Sequence, residues 1–294
     1  GSGVHFDLPS PEILSQEMLE DFNEKGYIIV RRAIPKKAIQ QLYDEVLRFP
    51  QRTVRSDGWL LKARNVWMDS TVFAHFVLHG PLGYLGAQVI LNAHSIRYGN
   101  EAVNMLAPGL SGAEDWHMDV QNNLRPTQRP RQLPVVRFWM PLGAQDIVAN
   151  DTGGSLSLLP LDVLKRLRRS FKSCFVERSG ELVVACRAQA EESQVVPDLE
   201  LGDIVLYSPL VPHRSQAMSR GVRVGYVGSL YDPKQLSSWF RAENVPKQAD
   251  QDRYLRQGSM AFDIFCIAGA ACWDASRREC HHNLNWQSAT TQGF

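Results

Sequence analysis

The sequence has no excess of charge of either sign, because 32 Lys and Arg residues are balanced by 31 Asp and Glu residues, which leaves a net charge of +1. Neutralising nucleic-acid phosphates needs a basic surplus, so nucleic acid is not expected as a partner. No apolar run approaches the ~20 residues of a membrane-spanning helix, so no membrane partner is expected either.

Cysteine is also scarce. The five cysteines are scattered and form no Cys-x-x-Cys motif: Cys174, Cys186, Cys266, Cys272 and Cys280. An odd number at such spacing is not typical of a disulfide framework, and it favours reduced thiols in a cytoplasmic protein. His281 and His282 follow the last cysteine, but the paired spacing of a structural zinc site is missing. A solvated tail is the preferred interpretation.

Internal repeats and low-complexity segments are absent too, while 44% hydrophobic and 21% charged residues are typical of a folded chain. Residues 1–3, Gly-Ser-Gly, are interpreted as a remnant of expression. No initiator Met follows them, which leaves open a removed targeting peptide. Residues 4–294 are predicted to form one domain.

Two helices are predicted within about residues 15–50. The first covers residues 17–25, ends at Gly26 and has one apolar face: Met18, Leu19 and Phe22. A short strand, residues 27–30, precedes a second helix that begins at Pro35 and has apolar residues at the helical period: Ile39, Leu42, Val46 and Leu47.

From about residue 90 to 232 the sequence changes to short β-branched and aromatic runs separated by Gly, Pro and Asn. The clearest strands are residues 135–140, 204–207 and 222–230, with a helix inserted at residues 161–171. This pattern predicts an antiparallel sandwich or barrel. Residues 233–294 are expected to be helical or irregular.

The candidate chemistry begins with His117-Met118-Asp119. On an extended strand, residues two apart point to the same side, so His117 and Asp119 can close on one metal ion. The tripeptide alone is weak evidence, since a strand end with two polar residues is the commoner explanation. His213, just past a predicted strand in a Pro-flanked apolar stretch, changes that balance. Two histidines and a carboxylate that leave open positions are typical of non-haem Fe(II) in oxygenases.

Arg223 adds an anion-binding candidate. Strand alternation places Arg223, Gly225, Val227 and Ser229 on one face. A buried guanidinium needs an anionic partner, and its planar fork pairs with a carboxylate. Gly225 would leave room for a small bound molecule, whereas an internal Arg–Glu pair is the alternative.

The order of His117, Asp119, His213 and Arg223 resembles the phytanoyl-CoA dioxygenase-like branch of Fe(II)/2-oxoglutarate oxygenases. Further segments resemble this family in order: residues 22–30, 34–35, 136–142, 153–160 and 202–213. The Gly-Ser-His that ends the fourth segment in the family is absent here, which puts one loop in doubt.

The resemblance implies a mainly β protein with flanking helices (α+β), built on a double-stranded β-helix (jelly-roll, cupin-like) core. It implies that His117, Asp119 and His213 are catalytic residues that bind Fe(II). Four more residues are implied to bind 2-oxoglutarate, with Arg223 at its distal carboxylate: Arg223, Ser215, Trp139 and Lys62.

The implied enzyme is a dioxygenase that uses O2 and 2-oxoglutarate, releases succinate and CO2, and oxidises an unactivated C–H bond. Hydroxylation is the default outcome, and oxidative cyclisation or desaturation in natural-product biosynthesis is the alternative. A carboxylate at Asp119 disfavours halogenation, because halogenating relatives have a small residue there.

A small organic substrate is expected, either carboxylated and amino-acid-like or a secondary metabolite. Candidate substrate contacts lie beside the ligands and in variable loops: Trp116, Gln121, Asn122, Arg64, Arg137 and Tyr231. An Arg- and Pro-rich stretch, residues 121–134, is either a basic flap over the substrate or, more commonly, a solvated connection.

Two other classes stay open. A non-catalytic metal-binding barrel is disfavoured by the complete ligand set. A metal-dependent hydrolase or isomerase on a similar barrel would not need Arg223.

Overall fold

A computed structural model describes residues 13–49, 60–93, 96–110, 116–119, 129–143, 155–170 and 186–232, together with residue 235. The Cys/His tail, the predicted region 233–294 beyond residue 235, and residues 1–3 lie outside the described residues. Within the described ranges, no helix has both the length and the apolar character needed to cross a bilayer.

The described chain contains α-helices, strands and a short 3-10 helix at Pro130–Gln132. The helices are α1 (Gln16–Lys25), α2 (Lys36–Arg48), α3 (Val66–Asp69), α4 (Thr71–His79), α5 (Leu82–Val89), α6 (Leu161–Ser170) and α7 (Arg187–Ser193). The strands are β1 (Tyr27–Val30), β2 (Leu61–Arg64), β3 (Arg97–Leu106), β4 (Val135–Leu142), β5 (Leu156–Leu158), β6 (Ile204–Tyr207), β7 (His213–Ser215) and β8 (Arg223–Tyr231).

The N-terminal helix begins and ends as its sequence predicts. The Ser15 side chain accepts a hydrogen bond from the Met18 N–H, which caps the first turn. Gly26 adopts a left-handed conformation with φ of 82°, and its N–H bonds to the Phe22 carbonyl oxygen. A Cβ on Gly26 would lie 2.5 Å from a methyl carbon of Val211, so the close approach also requires glycine.

The apolar face of α2 is narrower than predicted. Ile39, Leu42 and Val46 are buried, whereas Leu47 is 59% exposed. The first three residues follow the i, i+3, i+7 spacing of one helix face, and Leu47 lies about 100° further round the helix. Leu47, which was counted among the apolar positions of the helical period, therefore lies outside the buried face.

Two antiparallel sheets form the β structure. The large sheet has the strand order β1-β6-β4-β8-β3-β2, and the small one pairs β5 with β7. The N-terminal strand β1 is therefore part of the main sheet, in register with β6 from Tyr27–Tyr207 to Val30–Ile204. An isolated bridge extends the small sheet on each side. His117 pairs with His213 of β7, and Val195 pairs with Leu158 of β5.

The two faces of β8 have different partners, which confirms the predicted alternation. Val224, Tyr226 and Leu230 join the apolar core between the large sheet and the helices. Arg223 and Ser229, together with Gly225 and Val227, occupy the opposite face, which we call the inner face. Three helices within residues 66–89, which were not predicted from sequence, belong to the helical side of this core.

Cys186 corrects the expectation of reduced thiols, because it is disulfide-bonded. It is 1% exposed and packs with the apolar cluster of the small sheet. Every other cysteine lies outside the described residues. The cysteines therefore give no support to the expected cytoplasmic location.

A carboxyl group is buried beneath α3. Glu101 of β3 is 1% exposed, and its Oε1 accepts a hydrogen bond from the Trp67 N–H at 3.1 Å. Its Oε2 has no hydrogen-bond partner among the described residues. Burial raises the pKa of Glu101 to about 8, although the N–H groups of Trp67 and Val66 oppose the rise. The carboxyl is thus protonated at neutral pH.

Glu101→Gln is expected to make stability less dependent on pH. Folded Glu101 keeps its proton up to about pH 8, whereas the unfolded carboxyl ionises near 4.5. The wild-type free energy of unfolding therefore falls as pH rises through this window, on the order of a few kcal/mol in total. Gln has no proton to lose, so the variant lacks this fall. Urea unfolding at about pH 5 and about pH 8.5 measures the difference.

Glu17→Gln on the exposed face of α1 is the matched control and should follow the wild-type profile. Parallel pH profiles for Glu101→Gln and wild type would contradict the assignment of a protonated Glu101.

Candidate metal centre and cosubstrate pocket

Two histidines from distant segments are aligned by their own backbones. The His117 N–H donates to the His213 carbonyl oxygen at 3.1 Å, and the His213 N–H donates to the His117 carbonyl oxygen at 2.8 Å. Directly opposite residues of an antiparallel pair project to the same face. The imidazole rings accordingly lie together, with centroids 4.3 Å apart.

Asp119 joins these rings because it lies two residues after His117. One ligand atom from each of the three residues lies within 4.8 Å of the others. The Nε2 atom of His213 is 3.6 Å from Oδ2 of Asp119. The structure thus brings together the three predicted metal ligands.

His213 is prepared to bind a metal through Nε2. Its Nδ1 lies 3.0 Å from the Val211 carbonyl oxygen, a contact that assigns the ring proton to Nδ1. Burial, together with the neighbouring His117, lowers the pKa of His213 to about 4 even though Asp119 opposes the shift. The imidazole is therefore neutral at physiological pH, as a metal ligand must be.

Asp119 is held by two donors from the large sheet. The Nε atom of Arg137 lies 2.7 Å from Oδ2 of Asp119, and the Tyr207 hydroxyl donates to the same oxygen at 3.4 Å. Burial alone would raise the pKa of Asp119, but Arg137, assisted by His213 and His117, lowers it well below its usual range. Asp119 is therefore ionised.

Two imidazoles and one carboxylate that converge on one point fit Fe(II) in a non-haem site. A closed structural zinc site needs a fourth protein ligand. Among the described residues, no other group of three His, Cys, Asp or Glu side chains has this geometry.

Arg223 lies in a buried pocket next to the metal ligands. It is 5% exposed, and its Nη1 and Nη2 atoms each donate to Oγ of Ser215 at 3.3 Å. The guanidinium carbon is 5.7 Å from the ring centroid of Trp139. Ser215 follows His213 by two residues on β7, which separates the two backbones by roughly 6–7 Å.

Gly225 has a different role from the predicted one. A Cβ at this position would lie 3.0 Å from Nε1 of Trp139. The indole of Trp139 therefore occupies the space that was expected to receive a bound molecule, and glycine permits this packing.

Lys62 and Arg64 lie on the inner face, as the pairing of β2 with β3 and of β3 with β8 shows. Lys62 is opposite Asn104, which is opposite Gly225. Arg64 is opposite Ala102 in the same way. Since directly paired residues share a face, both cationic residues lie on the side of Arg223.

The other candidate substrate contacts are distributed differently. Tyr231 lies on the inner face two residues beyond Ser229. Trp116 is adjacent to His117 in an extended segment, so its side chain points to the opposite side. It is 1% exposed, and its ring centroid is 5.0 Å from the guanidinium carbon of Arg214. The structure does not bring Trp116 to the ligands. Gln121 and Asn122 lie outside the described residues.

Two of the predicted anion-binding arginines have internal partners. Arg137 pairs with Asp119 rather than facing the pocket as an open anion site. Arg131 donates to the carbonyl oxygens of Val89 and Gln88 at 3.2 and 3.1 Å, at the end of α5. The described part of the Arg- and Pro-rich stretch is therefore tied to a helix end.

Three residues of the site were not identified from sequence. Tyr207 and Ser229 contact Asp119 and Arg137, respectively. The side-chain oxygen Oδ1 of Asn104 is buried without a hydrogen-bond partner among the described residues. Strand alternation predicted the correct face for Ser229 but did not indicate its contact with Arg137. No such prediction was made for Tyr207 or Asn104.

Comparison with solved structures finds the same architecture. HygX from Streptomyces hygroscopicus, with nickel, 2-oxoglutarate and hygromycin B bound, has a TM-score of 0.56 at 14% identity, covering 75% of this chain and 88% of HygX. SnoK, a non-haem α-ketoglutarate-dependent carbocyclase from nogalamycin biosynthesis, has a TM-score of 0.57 at 17% identity, covering 74% of this chain and 84% of SnoK. EctD from S. alaskensis, with 2-oxoglutarate and 5-hydroxyectoine, has a TM-score of 0.57 at 14% identity, covering 80% and 82%.

The fold is a jelly roll. The likeness to these structures and the mostly antiparallel sheets with flanking helices confirm the predicted fold class. No family model matches the sequence, and no curated protein matches it. Membership in the phytanoyl-CoA dioxygenase-like family therefore stays a prediction.

The histidine pair predicts that one divalent ion binds per chain and that His117→Ala loses it. Co(II) titration followed by visible absorption measures the affinity. Removing an outer partner of a metal ligand typically costs 10–100-fold in affinity, so removing His117 itself should cost at least about 100-fold.

Asp44→Ala is the control, because Asp44 is a potential metal-binding carboxylate that is exposed on α2 and does not belong to the converging group. This variant should bind Co(II) as wild type does. Equal affinity of His117→Ala and wild type would reject the assigned centre.

Proposed function

We propose that the protein is an Fe(II)/2-oxoglutarate-dependent dioxygenase of the phytanoyl-CoA dioxygenase-like type. The observation that carries the proposal is the convergence of His117, Asp119 and His213 within 4.8 Å. The pocket of Arg223 and Ser215 next to this centre supports it, since a metal site alone would not distinguish an oxygenase from other metalloproteins.

In this proposal the three converging side chains hold Fe(II). The ion supplies, when bound, the redox chemistry that couples O2 to the oxidative decarboxylation of 2-oxoglutarate, with release of succinate and CO2. The protein keeps His213 neutral and Asp119 ionised for binding. The burial of His213 and Arg223 limits the access of water to these two side chains.

A keto diacid is the proposed occupant of the space between the candidate metal ligands and Arg223. The 2-oxo acid end would face the metal ligands, and the distal carboxylate would meet the guanidinium of Arg223 and the hydroxyl of Ser215. The roughly 6–7 Å along β7 from His213 to Ser215 is comparable with the length of a five-carbon chain. Trp139 forms the flat wall, and Lys62 and Asn104 line the inner face opposite β8.

The substrate is proposed to be a small organic molecule, carboxylated and amino-acid-like or a secondary metabolite. Arg64, exposed at the end of β2 and on the inner face, is the proposed contact for its carboxylate, with Tyr231 as a second wall residue. Hydroxylation is the default outcome, and cyclisation or desaturation is the alternative. Product mass separates them as a gain of one oxygen or a loss of two hydrogens.

One spectroscopic experiment tests the proposal. Anaerobic addition of Fe(II) and 2-oxoglutarate should give the weak visible charge-transfer band of an iron-chelated keto acid. Admission of O2 with candidate substrates should then release succinate. Absence of both the band and succinate would reject an oxygenase and favour a non-catalytic metal-binding barrel.

Arg223→Ala is expected to weaken 2-oxoglutarate binding without loss of the metal. Hydrogen bonds to charged groups contribute about 1.5–3 kcal/mol, so the 2-oxoglutarate concentration for half-maximal band intensity should rise about 10- to 100-fold. Anaerobic titration of the band measures this value, and Co(II) binding confirms that the centre is intact.

Arg214→Ala provides the control on the neighbouring small sheet, since Arg214 pairs with Glu191 at 3.1 Å on the other side of β7. It should leave the 2-oxoglutarate titration unchanged. Unchanged titration in Arg223→Ala would remove Arg223 from the cosubstrate site.

A further inference from the structure

We propose that Arg137 is a positioning residue for the metal-binding carboxylate. Together with Tyr207 it holds the carboxylate of Asp119 in place beside His213. This inference rests on the metal centre of the proposed function and adds a role for side chains that are not ligands.

Arg137 and Tyr207 contact the same atom of the carboxylate. Nε of Arg137 is 2.7 Å from Oδ2 of Asp119, and the Tyr207 hydroxyl donates to Oδ2 at 3.4 Å. This oxygen also lies 3.6 Å from Nε2 of His213. The two contacts therefore hold the carboxylate where it faces the predicted ligand atom of His213.

Arg137 is itself fixed by the large sheet. In the register, Arg137 of β4 is opposite Tyr207 of β6 on one side and Ser229 of β8 on the other. Its Nη1 donates to Oγ of Ser229, and its side chain is only 11% exposed. The three residues form one cross-strand row on the inner face, and Asp119 lies against this row.

The ion pair between Arg137 and Asp119 also compensates the charge of each side chain. Asp119 is 24% exposed at its side chain and is the carboxylate that pairs with Arg137. Breaking such an enclosed pair leaves an uncompensated charge, which is strongly unfavourable. Arg137 therefore stays with Asp119 and is removed from the set of substrate-binding candidates.

Co(II) binding to four variants tests the inference. The readouts are the affinity for Co(II) and the intensity of the visible spectrum, which reports the coordination number. Arg137→Gln should weaken Co(II) binding about 10- to 100-fold and change the spectrum, because an outer partner of a ligand is lost. Arg137→Lys keeps the charge but not the planar fork, so it should restore affinity only in part.

Tyr207→Phe removes a single donor while keeping the ring that packs edge-on against His213 at 4.8 Å. A smaller loss, about 2- to 5-fold, is expected from one hydrogen bond. This variant keeps the test valid if Arg137→Gln does not fold. Arg48→Gln, with a side chain 76% exposed on α2, is the control and should match wild type.

The outcomes separate the two proposals. Wild-type protein that binds no Co(II) overturns the proposed function and this inference together. A second outcome overturns the positioning role alone. In it the wild-type protein binds Co(II), and Arg137→Lys and Tyr207→Phe have the same affinity and spectrum as wild type, as does Arg137→Gln if it folds. Full recovery in Arg137→Lys also overturns it, because charge without the fork would then suffice.

Discussion

The pair of backbone hydrogen bonds between His117 and His213 is the constraint on which the candidate site depends. It attaches the short segment 116–119 to β7, whose other side pairs with β5. The pleat of an antiparallel pair fixes the direction of each side chain, so the two imidazoles converge as a result of backbone pairing. Asp119 follows at a spacing of two. One bridge thereby joins His213 to two candidate ligands that lie far earlier in the sequence.

The large sheet supplies the rest of the pocket through its alternation. Tyr226 and Phe138 pack with the helices on one face, while Ser229 and Arg137 occupy the inner face of the same strands. Each strand therefore contributes to an apolar core and to a polar pocket at once. Because the core side is fully buried, a one-residue slip in register would bring charged groups into it, and this penalty fixes the inner row.

The sequence was sufficient for features that depend on local spacing. The His117–Asp119 pair, the strand of Arg223 and the end of α1 at Gly26 follow from periods and caps, and the structure has them. His213 was indicated as a third ligand by its place after a strand and by the resemblance, but its backbone bridge to His117 was not predicted, since it joins distant segments. Features that depend on tertiary neighbours were missed: Leu47 is exposed although it is apolar, and Trp139 fills the space over Gly225.

The two inward arginines show why local pattern cannot assign a partner. Arg137 and Arg223 both belong to inner-face positions of long strands, and both suggest anion binding. Arg137 lies in the cross-strand row beneath Asp119, so its anion is a ligand carboxylate of the protein itself. Arg223 lies six residues along β8 from Ser229, beside Ser215 and Trp139. The two arginines therefore have different neighbours, which only the register of distant strands defines.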